Sequence, residues 1–158
     1  MTADRRRIRM KPINEMKVTF PSRSANEGFA RAVVASFLSQ LDPAVDELSD
    51  LRTAVSEAVT NCIVHAYRDT IGDITVQMRL YENGRAVVKV RDRGCGIENV
   101  EQAMEPLFTT GGDDRSGLGF SVMESFTDRL KVTSRKGKGT VVTLEKYIVL
   151  RERQAKLP

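Results

Sequence analysis

Val55–Tyr67, VSEAVTNCIVHAY, spaces Glu57, Asn61 and His65 at intervals of four. On a helix of about 3.6 residues per turn that spacing stacks the three side chains along one line. A carboxylate can take a proton from a hydroxyl or a water. A carboxamide offers a neutral oxygen to a hard cation. Leu48, Leu51, Val55, Ala58 and Cys62 recur beside the line at steps of three and four. The pattern predicts a helix from about Pro43–Ala44 to Tyr67, with its polar row at the edge of the core, where it can face a cleft. His65, a further turn along, is expected to be structural.

A second concentration of chemistry lies in the glycines. Eight of the 11 fall between Gly94 and Gly139, in the clusters DRGCG, GGDDRSGLG and GKG. Glycine serves where the backbone takes positive φ or passes close to another group. Outside regular structure, successive exposed N–H groups form a concavity suited to phosphate. The segment SGLGFSVMESF also opens a predicted helix, whose first amides favour anions. Taken singly, each cluster fits an ordinary glycine-rich turn. No GxxxxGK and no GxGxxG occurs, which excludes the P-loop and the dinucleotide fingerprint.

The elements that must position these residues can be read in order. MKVTF (16–20) predicts a strand ending at Pro21. Ser24 and Glu27 have capping-box spacing at the start of a helix. That helix carries Phe29, Val33 and Phe37 on one stripe, with Val34, Leu38 and Leu41 beside it, and stops at Asp42-Pro43. After the second helix, two alternating runs flank Asn83-Gly84, a hairpin signal in which both turn residues would take positive φ. A short helix is expected around Glu98–Met104 and another from Gly117 to Asp128. RLKVTS and TVVTLEKYIVL form a closing pair of strands. Grouped helices and hairpin-grouped strands argue α+β, a mixed sheet with helices on one face.

The totals narrow the class. A chain of 158 residues fits one domain able to bury about 68–70% of its unfolded surface. No apolar run approaches the roughly 20 residues of a membrane span. MTADRRRIRM leads into no apolar stretch, so a secretory signal is not expected and the location is expected to be cytoplasmic. Two distant cysteines, Cys62 and Cys95, match no metal spacing. Arg5, Arg6, Arg7, Arg9 and Lys11 against Asp4 account for the chain's whole formal charge of +4. The basicity therefore belongs to a tail, and with no tryptophan and 6% aromatic residues, direct nucleic-acid binding is not expected. Residues 1–10 are expected to be a disordered basic extension, 11–150 a single domain and 151–158 a C-terminal tail.

EAVTN, DRGCGI, PLFTT, RSGLGF and GKGT, in that order, resemble the N, G1, F, G2 and G3 boxes of the GHKL ATPase superfamily. Within it, NEGFAR, SQLDP, VSEAVTN, PLFTT and RSGLGF are similar to the sporulation branch of the anti-sigma serine kinases, over roughly residues 10–150. The resemblance implies a left-handed βαβ sandwich (the Bergerat, histidine-kinase-like fold) that binds ATP and Mg2+, in a homodimer. It implies two protein partners, a sigma factor of sigma-F type and a STAS-type anti-anti-sigma protein phosphorylated on serine.

Carried onto this chain, the resemblance gives Asp92 the adenine amino group, with Thr140 completing recognition of the ring. Gly94 and Gly96 pass beside the base, and Asn61 holds Mg2+. Ser116, Gly117, Leu118 and Gly119 present amides to the phosphates, and Thr109 and Thr110 belong to a lid, PLFTTGGDD. Arg115 faces the terminal phosphate and Glu57 is the base. Arg31, on the first helix, serves partner binding. Cys62 and Cys95 depart from the pattern, since small or aliphatic residues are expected there. The single histidine leaves no separate phosphoacceptor of the sensor-kinase kind, so the acceptor comes from another protein or there is no transfer. The implied function is an ATP-dependent serine kinase and anti-sigma factor. The alternatives are a sequestering module that senses ADP and ATP, or the stress-response relative.

Overall fold

In a computed structural model of the chain, which describes residues 10–106 and 118–151, five strands make one sheet. The elements are β1 (Asn14–Pro21), α1 (Ala25–Leu38), α2 (Val45–Asn61), β2 (Asp73–Leu80), β3 (Arg85–Asp92), α3 (Val100–Ala103), α4 (Gly119–Ser125), β4 (Arg129–Arg135) and β5 (Gly139–Tyr147). The order across the sheet is β1-β2-β3-β5-β4.

The α+β expectation holds, but the sheet is not mixed. Every neighbouring pair is antiparallel. β3 and β4 do run parallel, joined through α3 and α4, yet β5 lies between them. A βαβ crossover makes a sheet mixed only when its two strands are neighbours.

Strand alternation sets the two faces. Ile74, Val76, Met78 and Leu80 on β2, Val88 and Val90 on β3, and Val142 and Leu144 on β5 are buried on one of them. Ala30, Val34 and Leu38 of α1, with Leu51, Ala54, Val55, Ala58 and Val59 of α2, cover that face. α2 lies between α1 and α4 and touches β3 and β5. The other face is polar, with Lys17, Lys89, Arg91, Lys131 and Arg135 exposed along it. The folded part is neutral in sum, and this face also carries Glu15 and Glu145, which pair with Arg79 and Arg85.

Local chemistry departs from the sequence pattern at four places. Ser24 makes no side-chain cap bond, its own backbone being helical rather than extended, and the Glu27 carboxylate, the other half of the box, instead accepts from the Ser56 hydroxyl on α2. Phe29 is 50% exposed, its ring edge-on to Phe20, and the buried stripe of α1 is Ala30, Val34 and Leu38. In the β2–β3 turn only Gly84 has positive φ. Its N–H bonds the Tyr81 carbonyl at 3.0 Å while Tyr81 N–H bonds Arg85 at 2.9 Å. The connection is therefore a longer turn closed by a glycine bulge rather than a two-residue one. Finally, the α-helix stops at Asn61 and one π-helical turn, Cys62–Ala66, continues it.

Candidate functional site

The last turn of α2 carries Glu57 and Asn61, and α4 begins against them. A methyl on Gly119 would stand 3.3 Å from Asn61 Oδ1, 3.4 Å from Asn61 Nδ2 and 3.4 Å from Glu57 Oε2. The expected base, the expected metal ligand and the start of the predicted phosphate-facing helix thus meet at one point. Leu118 immediately precedes α4 as its N-cap.

The other end of the site is built on the sheet. Asp92 closes β3 on the helix-covered face and is only 5% exposed. Gly94 N–H donates to its Oδ1 at 2.9 Å, the Cys62 thiol lies 3.5 Å from its Oδ2, and the Thr140 backbone N–H is close enough to favour the charged form. Burial raises the carboxyl's pKa from its ordinary value, and these donors pull against that rise. Burial, reinforced by the neighbouring Asp92, holds the Cys62 thiol well above its usual value, so it stays a neutral donor.

Thr140, also buried, is fixed by Ser134 on the neighbouring strand. Ser134 Oγ accepts from Ile97 N–H at 2.7 Å, lies 3.0 Å from the Gly139 carbonyl and 2.7 Å from Thr140 Oγ1. A hydroxyl has one proton. With that proton on Gly139, the Thr140 hydroxyl must donate to Ser134.

The π turn joins the two ends. An i→i−5 bond, Tyr67 N–H to the Cys62 carbonyl at 3.1 Å, widens the helix. The Ala66 carbonyl then accepts from Cys95 N–H at 3.1 Å. Gly94 is needed at that crossing, since a Cβ there would sit 2.3 Å from the same oxygen. Gly96 takes φ +72°, and a Cβ on it would sit 2.1 Å from the Arg135 carbonyl. Both glycines are thus demanded by close approach to the protein's own backbone. Tyr67 locks the corner: its hydroxyl donates to the Asp73 carbonyl and accepts from Arg93 N–H, each at 2.7 Å. Gly72 makes room for its ring, since a Cβ there would fall 2.2 Å from a ring carbon. The His65 carbonyl, at 3.2 Å, accepts from the Cys95 thiol.

Arg31 lies on α1, its Nε 3.6 Å from the Glu27 carboxylate. That carboxylate also holds Ser56, the residue before Glu57. Thr109, Thr110, Arg115, Ser116 and Gly117 lie outside the described residues.

Residues 20–146 match the family described as histidine kinase-like ATPase domain. The anti-sigma F factor of Caldanaerobacter subterraneus subsp. tengcongensis is 54% identical over 136 residues, 85% of this chain and 94% of that protein. The anti-sigma F factor of Clostridium acetobutylicum is 50% identical, over 88% of this chain and 97% of that protein. The chain belongs to the anti-sigma F factor family. Among solved structures, this anti-sigma F family chain is similar to the RsbU and RsbW domains of a Mycobacterium tuberculosis protein. There the TM-score is 0.64 at 20% identity, over 87% of this chain and 33% of that one. The histidine kinase domain of a blue-light activated histidine kinase from Erythrobacter litoralis gives 0.54 at 21% identity, over 77% of this chain and 61% of that one. At such identities these two neighbours support the fold alone.

A histidine kinase-like ATPase domain implies ATP, generally with Mg2+, and the residues fit both. The Asn61 carboxamide and Glu57 Oε2 both lie within 3.4 Å of one point beside Gly119, and each carries oxygen, which Mg2+ prefers. Among the described residues no group of three or more His, Cys, Asp or Glu could cage a metal. A cation beside Asn61 would take its remaining ligands from phosphates and water. No helix among the described residues is long and apolar enough to cross a membrane.

Sequence reasoning missed Ser134 and Tyr67. Ser134 is one small polar residue in an alternating strand and carries no signal. Tyr67 was visible only as the end of a helical pattern. Its importance arises from Asp73 and Arg93, which the sheet brings to it.

Proposed function

We propose that this chain is an anti-sigma factor that holds a sigma factor of sigma-F type inactive. In this reading it also uses Mg-ATP to phosphorylate a serine of a STAS-type anti-anti-sigma protein, acting as a homodimer. The observation that carries the kinase half is the convergence of Glu57, Asn61 and Gly119. A site that only sensed nucleotide would need the asparagine and the glycine, but no carboxylate beside them. The names of the relatives support a sigma factor as partner.

Asp92, an acceptor-only carboxylate, takes a hydrogen bond from the adenine amino group. Guanine presents a carbonyl there and is rejected. Asn61 would hold Mg2+, whose charge would offset that of the phosphates. In the same reading the amides of Ser116, Gly117, Leu118 and Gly119 and the Arg115 guanidinium bind the phosphates, and Thr109 and Thr110 contribute to nucleotide binding. Glu57 accepts the proton of the incoming serine hydroxyl. The hydroxyl oxygen bonds to the γ-phosphorus as the bond to the ADP oxygen breaks. Arg31 contacts the protein partners from α1.

The test is the intact mass of a STAS-type partner after incubation with this chain and Mg-ATP, beside Glu57→Gln. A gain of one phosphate that the variant loses is expected. No gain, with ATP binding shown in the same sample, refutes the kinase and leaves a sequestering module.

A further inference from the structure

We infer that Cys62 is a positioning residue for base selection, its thiol holding Asp92 in the orientation that accepts the adenine amino group. This builds on Asp92 as the adenine acceptor, proposed above.

The torsion that turns a carboxylate is broad and roughly two-fold, so a carboxylate held at one oxygen can still swing about that anchor. Asp92 is held at both. Gly94 N–H bonds Oδ1 at 2.9 Å, and the Cys62 thiol lies 3.5 Å from Oδ2. The other group that favours its charged form, Thr140 N–H, is a backbone amide like that of Gly94. Those two would survive any substitution that kept the fold, so among the described residues the thiol is the one side-chain anchor.

Tyr67 carries the nearby hydroxyl. Its proton goes to the Asp73 carbonyl, however, and its oxygen accepts from Arg93. The thiol itself is well fixed. Cys62 is 3% exposed, and its backbone N–H bonds the Ala58 and Val59 carbonyls at the junction of α2 with the π turn. It directly follows Asn61, so the residue that orients the base acceptor is bonded in the chain to the one that would hold the metal. An aliphatic side chain here would fill the space and leave Oδ2 without its side-chain donor.

A thiol is a weak donor, and the expected effect is moderate and specific. The protein and its Cys62→Ala and Cys62→Ser variants are titrated with ATP and with purine riboside triphosphate, which lacks the 6-amino group. The parent protein is expected to prefer ATP by about tenfold or more, the range for one hydrogen bond to a charged acceptor. In Cys62→Ala that preference shrinks by about threefold or more, and in Cys62→Ser, which restores a donor, it returns to the parent's value or above.

A role in packing alone would weaken both ligands equally and leave the ratio unchanged, and that outcome overturns the inference while Asp92 keeps its role. An absent preference in the parent protein overturns the role of Asp92 and this inference with it. If Cys62→Ala does not fold, Cys62→Ser decides: a ratio below the parent's overturns the proposal.

Discussion

Gly119→Ala separates the glycine's use to the fold from its use to the site. Nothing about the backbone at 119 demands glycine, because its φ is not in the positive range, unlike Gly84 and Gly96. The three atoms nearest a new methyl, at 3.3 to 3.4 Å, are all side-chain atoms of Asn61 and Glu57. Ordinary contacts begin at about 3.5 Å, so each side chain must yield only a few tenths of an ångström. Alanine meanwhile improves the first turn of α4, with glycine costing about 0.8–1.0 kcal/mol in a helix interior and less at its end. The apo protein should therefore hold its stability or gain up to about 0.5–1 kcal/mol. The cost falls on the ligand, since the methyl occupies the space between the Asn61 carboxamide, the Glu57 carboxylate and the start of α4. A tenfold loss of Mg-ATP affinity, about 1.4 kcal/mol, is expected, with a smaller loss for nucleotide in the absence of Mg2+. Urea unfolding and nucleotide titration with and without Mg2+ measure the two effects. A fall in unfolding free energy, or unchanged Mg-ATP affinity, would refute the assignment of this junction as the metal and phosphate end.

Gly94→Ala should do the opposite and unfold the site. Its methyl would stand 2.3 Å from the Ala66 carbonyl oxygen and 2.6 Å from the Ala66 Cβ. Backbone has no easy escape, so a loss at or above the upper end of about 1–3 kcal/mol is expected in thermal melts. Tyr67→Phe removes a hydroxyl that donates to Asp73 and accepts from Arg93. It should cost about 1–3 kcal/mol in urea unfolding, from the two groups left unmatched. For Asp92 the sign follows from burial, which raises its folded pKa above the ordinary value. As pH rises from the ordinary carboxylate range through that folded value, the native state keeps a proton the unfolded chain has lost, so its contribution to stability falls, then levels off. The ionised acceptor forms only above the window, so ATP affinity should weaken as pH falls into it. Titrations across pH check this, and an acid limb that persists in Asp92→Asn would count against it.

The elements themselves were largely legible, since period and punctuation are local properties. The π turn was not. Cys62–Ala66 continues the same apolar spacing as α2, and neither the Tyr67 N–H to Cys62 carbonyl bond that widens it nor the bond its last carbonyl, Ala66, accepts from Cys95 N–H, 29 residues away in the chain, leaves a mark in that spacing. The Ser24–Glu27 spacing misled for a related reason. Glu27 has the reach for a capping box, but Ser56 on the facing helix gives its carboxylate a competing partner. In the site, residue types and order pointed to Glu57, Asn61 and Asp92, whereas Ser134 could be found only once β4 and β5 were paired.

The segment quoted at the outset places both ends of the site within six residues. Glu57 and Asn61 face the start of α4, and Cys62 turns to Asp92 on the sheet. A straight α-helix repeats every 3.6 residues, and the π turn begins where the chain's contacts change from α4 to the loop after β3. Spacing between the two ends is thus set by backbone hydrogen bonds within one helix and its π turn, rather than by a flexible loop. A shift in that register should disturb metal and base recognition together. Replacing Gly119 or Cys62 should disturb only one of them. If Gly119→Ala weakens Mg-ATP without altering the preference for ATP over its 6-deamino analogue, and Cys62→Ala does the reverse, the two ends are built independently on a common rigid support. Changes in both properties from either substitution would instead show that the π turn moves as a unit with its ligands.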